Sequence, residues 1–271
     1  MKTGWKVFWI VCGSAIIIGF ACCAAAFGLG VTLDAIHGRF PDGFGYVGGS
    51  GKKAKDIHES FKDITEIDAE LAAGEVIVYA TDEDEIRVET KNLRQRLGFK
   101  CYAEGNELKL ETNKKLYRLN NMGKGTIKVY IPREMRFDEV SFDMGAGTLT
   151  IDEICADSFS VGVGAGEVDI ADFQAYEGSL ECGAGTICAK GAVTSDLEIA
   201  CGVGEVEFTA YGHETDYNYD IDCAVGAVVC GGSDYSGIGG HRHIDNGADK
   251  DMEISTGVGS VTVEFDGTKV R

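Results

Sequence analysis

Apolar and polar residues alternate in short stretches on either side of a Gly-x-Gly motif that recurs through the second half of the chain. Counted from the residue before the first glycine, the first four copies begin at residues 144, 163, 182 and 201, a spacing of 19 residues. Two more begin at 223, where Ala224 replaces the first glycine, and at 256, after spacings of 22 and 33 residues, because the connecting segments lengthen. A fixed period near 20 residues is typical of stacked coils. The pattern therefore predicts an all-β solenoid with coils of about 19 residues.

Four positions of each copy are apolar, namely −5, −3, +2 and +4 counted from the second glycine, with polar residues between them. This alternation predicts two short strands per coil, which stack at about 4.8 Å so that equivalent side chains form ladders inside the solenoid. The second glycines are Gly147, Gly166, Gly185, Gly204, Gly226 and Gly259. We interpret them as structural residues at a turn where a Cβ would clash.

Three cysteines, Cys182, Cys201 and Cys223, occupy the −3 position of consecutive copies, and we expect Thr256 to follow them in the stacked column. In-register stacking aims all three thiols the same way and offers no tetrahedral cage for a metal. We interpret them as small apolar core residues. A thiolate metal ladder or disulfides between coils remain the alternatives.

Segments 71–90, 101–112 and 123–132 are interpreted as strand pairs that lead into the solenoid, with hairpins expected at 82–84 and at Gly105-Asn106. Residues 60–265 are therefore predicted to form one continuous β domain, followed by a tail at 266–271.

No charged residue lies between positions 7 and 33. A helix of that length would measure roughly 40 Å, enough to cross a hydrocarbon core of about 30 Å. We predict a cytoplasmic tip and transmembrane anchor in residues 1–36, with Lys2 and Lys6 on the cytoplasmic side, and a flexible linker at 37–59. Cleavage near Ala24-Ala25-Ala26 is the alternative.

The formal net charge of −19 argues against nucleic acid as a partner, because affinity for phosphate depends on clustered lysine and arginine. Each Gly-x-Gly leads into a predicted strand rather than a helix, which argues against nucleotide binding. No catalytic motif is recognised, and we expect a non-enzymatic protein.

Two carboxylates deserve comparison with sugar-cleaving enzymes, since Glu167 and Glu205 share the +1 position two coils apart. Their expected separation of about 9–10 Å lies near or beyond the upper limit for an inverting pair. A polysaccharide-active β-helix enzyme is therefore kept as an alternative function.

Segment 231–251 breaks the repeat and concentrates ionisable groups. His241, His243 and Asp245 could ligate a transition metal, while the flanking glycines favour a solvated loop without a preformed site. The segment is also where we expect a partner to touch. No cofactor is predicted, although calcium held by exposed carboxylates stays open.

The stretch EIDAELAAGEVIVYATDEDEIRVE, followed by IKVYIP and FDEVSFDMGAGTLTIDEICADSFSVGVGAGEVDI, resembles the bacterial "putative-adhesin" domain family of unknown function. The likeness runs from residue 64 to about 263. It implies a short N-terminal membrane segment followed by a right-handed parallel β-solenoid, and it brings no catalytic residues. This sequence departs from the family pattern in its cysteine ladder and in segment 231–251.

Taken together, these features predict a single-pass protein of the cell membrane whose β domain is extracytoplasmic. We expect it to present an acidic solenoid to an envelope protein or glycan for adhesion, scaffolding or envelope sensing. An accessory or regulatory subunit of a membrane partner is a further alternative.

Overall fold

The computed structural model describes residues 53–113, 125–237 and 239–268. Regular structure in these ranges is β-strand apart from two three-residue 3-10 turns, Gln95–Leu97 and Glu214–Asp216. Across the same ranges there is no helix of the length and apolarity needed to cross a membrane. The predicted anchor at 7–33 and the first part of the predicted linker lie outside the described residues.

Seven strands precede the regular repeat. They are β1 (His58–Phe61), β2 (Glu66–Leu71), β3 (Gly74–Thr81), β4 (Ile86–Lys91), β5 (Lys100–Glu104), β6 (Glu107–Glu111) and β7 (Thr126–Pro132). β1 begins inside the segment predicted as linker and pairs antiparallel with β4.

Eleven further strands build the repeat and its connections. They are β8 (Phe137–Ile151), β9 (Ile154–Cys182), β10 (Thr186–Val193), β11 (Asp196–Cys201), β12 (Glu205–Ala210), β13 (Asn218–Cys223), β14 (Ala227–Cys230), β15 (Ser233–Asp234), β16 (Gly240–Ile244), β17 (Asp251–Thr256) and β18 (Ser260–Phe265). We call residues 137–193 the middle coils and residues 196–265 the late coils.

The 19-residue coil is confirmed by the strand register. β8 pairs in parallel with β9, for example Val140 with Phe159, and each pair in this ladder is separated by one repeat. The same spacing continues in the column that holds Thr186, which has Glu167 on one side and Glu205 on the other. The predicted inward positions are buried, including Phe142, which has no exposed surface. The described residues therefore form a β-solenoid with a continuous apolar interior.

The late coils do not stack in chain order. β17 lies between β11 and β13, and β18 lies between β12 and β14. The expectation that Thr256 follows Cys223 in the stack is therefore wrong, because Thr256 pairs with both Cys201 and Cys223. The long connection after β14 makes this arrangement accessible, since it folds back through β16 against β13 before the chain fills the remaining gap.

The first coil, β2–β3, is also enclosed on both sides. It pairs with β6 and β7 on one side and with β8 on the other. The predicted hairpin at 82–84 is wrong, because β4 pairs with β7 instead of β3. The predicted hairpin at Gly105-Asn106 is confirmed by the antiparallel β5–β6 pair.

The second glycine of each motif has no room for a side chain, because the adjacent coil lies against it. A Cβ placed on Gly185 would lie 2.2 Å from the carbonyl oxygen of Gly166, and one on Gly166 would lie 2.1 Å from that of Gly147. Gly147 also has a positive φ of 129°. Any larger residue at these positions would force neighbouring backbones apart.

The cysteines of the −3 column pack against these glycines. Cys182, Cys201 and Cys223 are each 3% exposed, and all seven cysteines within the described ranges are free thiols. A Cβ on Gly204 would approach the Sγ of Cys182 to 2.7 Å, so the thiol uses space left by the glycine of the next coil. Burial raises the pKa of Cys201 to about 11, helped by the neighbouring Cys182. These observations favour the interpretation as core residues.

Candidate functional site

The residue before the second glycine of each motif points outward, and its size changes along the stack. It is alanine in the middle coils, at Ala146 and Ala165, but valine in the late coils. Val203, Val258 and Val225 occupy consecutive coils and are 55%, 40% and 57% exposed. We call these three residues the valine ridge. It is an apolar strip on an otherwise acidic protein.

A shallow groove of about 770 Å³ follows the valine ridge. The motif glycines line the groove, and the +1 residues Thr186, Glu205 and Ser260 contribute polar atoms to it. These three residues are direct strand partners, so the groove offers hydroxyl, carboxylate and hydroxyl groups in successive coils. Such a surface combines apolar contact with hydrogen-bonding groups along one line.

The carboxylates considered for glycan chemistry are kept apart. Thr186 lies between Glu167 and Glu205 in the strand register, which places the two acids two coils apart. At about 4.8 Å per coil their backbones are separated by about 9–10 Å. Both glutamates are exposed. The pair therefore has the wide spacing that the sequence predicted.

Segment 231–251 brings one histidine against two aspartates. In the antiparallel β13–β16 pair, His241 stands opposite Asp222 and His243 opposite Asp220. The Nδ1 atom of His241 lies 3.0 Å from Oδ1 of Asp222 and 3.3 Å from Oδ1 of Asp220. Potential ligand atoms of Asp220, Asp222 and His241 all lie within 4.8 Å of one another. We call these three exposed residues the His/Asp cluster.

Of the residues predicted as metal ligands, His241 is the one that joins this cluster. Asp245 instead accepts a hydrogen bond at 2.8 Å from the backbone N–H of Gly247. The sequence does not predict Asp220 and Asp222 as ligands, because their positions are those of ordinary outward residues of a coil strand. The available signal was an Asp-x-Asp strand and a His-x-His strand, each with its polar side chains on one face.

Acidic residues accumulate on the same outer face of the late coils. Glu198, Glu253 and Asp220 are consecutive strand partners. Partial burial raises the pKa of Glu198, and the nearby charges of Glu253 and Glu181 raise it further. The equivalent residues of the middle coils are serines, Ser141, Ser160 and Ser179. Negative charge is therefore concentrated next to the His/Asp cluster.

The stacked parallel coils and their glycine turns define a β-solenoid protein. Within that class, the chain belongs to the family described as Toastrack DUF4097, which matches residues 64–269. The resemblance to the "putative-adhesin" domain family is thereby confirmed.

Several solved structures are similar to this chain. A "putative cell adhesion protein" from Clostridium sporogenes is 15% identical, with 78% of this chain and 100% of that chain covered and a TM-score of 0.42. A "putative adhesin" from Bacteroides fragilis is 16% identical, with 79% and 100% covered and a TM-score of 0.37. A "putative lipid binding protein" from Parabacteroides distasonis is 15% identical, with 80% and 98% covered and a TM-score of 0.35. A search of the curated proteins gives no match.

Proposed function

We propose that this protein is a non-catalytic cell-envelope protein whose late coils bind an envelope protein or glycan, in adhesion, scaffolding or sensing. In this proposal, residues 7–33 anchor the chain in the membrane as a single pass, and the β domain is extracytoplasmic. The observation that carries the proposal is the valine ridge. Its side chains are large, apolar and exposed in consecutive coils, although the solenoid core needs no apolar residue at that position.

Contact between an exposed apolar strip and water is unfavourable in free energy. Contiguous strips of this kind mark interaction surfaces more often than isolated exposed residues do. The groove beside the ridge adds the carboxylate of Glu205 and the hydroxyl groups of Thr186 and Ser260. Apolar contact with a few placed polar groups suits a peptide segment or a sugar chain running along the stack.

Binding to a panel of envelope glycans and cell-surface proteins tests this role, with the full-length protein immobilised. A triple variant, Val203→Ser, Val225→Ser and Val258→Ser, should weaken saturable binding at least about tenfold, as expected when a few central residues dominate an interface. Tyr176→Ser is the matched control, because Tyr176 is 51% exposed but lies outside the ridge. Equal loss in the control, or binding that survives in the triple variant, would refute the valine ridge as the contact surface.

The catalytic alternative gives a different result. Hydrolysis or cleavage of an envelope glycan, abolished by Glu167→Gln or Glu205→Gln, would overturn the non-catalytic proposal. The accessory alternative is tested by exchanging residues 1–36 for an unrelated transmembrane helix. Function that survives this exchange favours the β domain as the active part, and function that is lost favours a partner held through the membrane segment.

A further inference from the structure

The His/Asp cluster has more negative charge than its own residues can balance. The Nδ1 atom of His241 carries one proton at most, yet it lies within hydrogen-bonding distance of both Asp220 and Asp222. Glu253 of the adjacent coil is the direct strand partner of Asp220. Among the residues that the structure describes, His241 is the only ion-pair partner of the two aspartates. A divalent metal ion that replaces the proton on Nδ1 and binds the same three side chains would balance both carboxylates.

The spacing of the donor atoms suits a small metal ion. Zinc binds imidazole nitrogen and carboxylate oxygen at about 2.0–2.2 Å, so the edge of its tetrahedron measures about 3.3 Å. The two distances from His241 Nδ1 to the carboxylate oxygens, 3.0 and 3.3 Å, lie close to this edge length. The three side chains are exposed on one face, which leaves a path for the ion and for a fourth ligand.

The side chains of the His/Asp cluster are carried by two paired strands of regular geometry. Asp220 and Asp222 belong to β13, which is fixed from its other side by β17. His241 and His243 belong to β16, and their strand register places both imidazoles opposite the two carboxylates. Ligands carried on paired strands keep their spacing better than ligands on loops.

We propose that the His/Asp cluster binds a divalent transition-metal ion of the zinc class through Asp220, Asp222 and His241. The imidazole selects against calcium, which prefers six to eight oxygen ligands. His243, opposite Asp220, is the nearest further imidazole in the strand register and a candidate for the fourth position. This site goes beyond the proposed recognition role, because it does not depend on the valine ridge.

A bound ion would join strand β16 to the coil strand β13. Strand β16 covers the outer edge of β13, because β13 has β17 on one side and β16 on the other. Since a ligand that binds only the folded state stabilises that state, zinc should raise the melting temperature of the late coils.

Calorimetric titration of the full-length protein with zinc tests the site, using protein purified without a polyhistidine tag. One ion should bind per chain, and His241→Gln and Asp222→Asn should each weaken binding at least about tenfold, since even outer-shell changes cost 10-fold to 100-fold. His58→Gln is the matched control, because His58 is exposed and lies 3.7 Å from a single carboxylate, that of Glu89. The affinity of the His58→Gln variant for zinc should equal that of the wild type.

Melting curves of the metal-free variants show whether they fold. Zinc should raise the melting temperature of His58→Gln as it does that of the wild type, and should not raise that of His241→Gln. Cobalt should give visible absorption bands of a low-coordinate site that disappear in the same variant. Zinc affinity unchanged by His241→Gln would overturn the proposal. Calcium binding as tight as zinc binding, lost in Asp222→Asn but kept in His241→Gln, would also overturn it and indicate a carboxylate site.

Discussion

The middle coils and the late coils use the same repeat but are assembled differently. In the middle coils, β8 and β9 run through their glycine turns without a break, and successive copies stack in chain order. In the late coils the strands that carry the repeat, β11 to β14, β17 and β18, are four to six residues long, and the last copy fills a gap between two earlier ones. The repeat therefore determines the shape of a coil, while the length of its connection determines where that coil enters the stack.

The two regions also differ on their outer surfaces. Alanine and serine cover the middle coils at positions where the late coils carry valine and acidic residues, for example Ser160 against Glu198. Since the inward columns are apolar in both regions apart from Thr256, these differences do not arise from the core. The features that suggest binding are concentrated in the late coils.

Removing the last coil should give the largest effect and would test its position in the gap. A chain ending at Lys250 loses four buried apolar side chains of β17 and β18, which at about 1.5–3 kcal/mol each is at least about 6 kcal/mol of apolar burial. It also exposes β13 and β14 along the edges that face the gap. We expect amides of β13 and β14 to lose protection in hydrogen exchange. A chain ending at Thr268 is the control, and protection retained in the shorter chain would contradict the observed stacking.

A methyl group on a motif glycine should give the next largest effect. Gly185→Ala places a Cβ 2.2 Å from a carbonyl oxygen of the adjacent middle coil, so neighbouring backbones must separate. We expect the free energy of unfolding to fall by about 3 kcal/mol, measured by denaturant titration. Gly237→Ala is the control, because no atom lies within 4 Å of its added Cβ, and its effect should stay below about 0.5 kcal/mol. Equal effects would contradict the close approach.

Changing the buried threonine of the late coils should stabilise them. Thr256 is 5% exposed, and within the described part of the chain its Oγ1 atom has no hydrogen-bond partner. Thr256→Val introduces the residue that a middle coil has at Val163, in the same column. We expect the free energy of unfolding to rise by about 1 kcal/mol, because an unpaired buried hydroxyl is removed. The same change at the half-buried, outward Thr262 should have little effect, and destabilisation by Thr256→Val would refute the explanation.

Replacing one acid of the outer face should give the smallest effect. Because burial and the neighbours Glu253 and Glu181 raise the pKa of Glu198, the folded state holds this proton more tightly than the unfolded state. Folded stability is then lost as pH rises through the raised pKa. Glu198→Ser, which copies the middle coils, should therefore stabilise the protein at neutral pH by about 0.2–1 kcal/mol.

Melting curves at several pH values and salt concentrations would measure that gain. It should vanish in acid, where the glutamate is protonated, and shrink at high salt, where the repulsion is screened. Glu264→Ser, at an exposed glutamate of β18, is the control. A gain that is independent of both pH and salt would exclude charge repulsion as its cause.

The coil itself could be predicted from the sequence, because inward side chains such as Phe142 and Val161 repeat at a fixed interval. The order of the late coils could not. Ile199, Ile254 and Ile221 occupy the same column and offer equivalent neighbours to any coil, so their alternation carries no information on which coil lies next to which.

The candidate metal site was predicted in part for a related reason. His241 stood out because it lies in the segment that breaks the repeat, whereas Asp220 and Asp222 belong to a regular coil. Their meeting depends on β16 folding back against β13, a long-range pairing that no local pattern specifies. The valine ridge was visible in the sequence as a change from alanine to valine, but its exposure follows from the direction of the turn.

The gap between β12 and β14 also has a consequence for biosynthesis. The N-terminal part of a chain is synthesised first, and in a stack of repeats each coil contacts only its neighbours, so coils can form while the rest of the chain is being made. The middle coils can add one after another in this way, because each new coil covers the one before it. The coil formed by β13 and β14 cannot, since these strands lack their inner neighbour until residues 251–265 have been synthesised. Their assembly thus waits for a late stretch of the polypeptide, and until then the nascent chain exposes unpaired strand edges that a chaperone would be able to recognise.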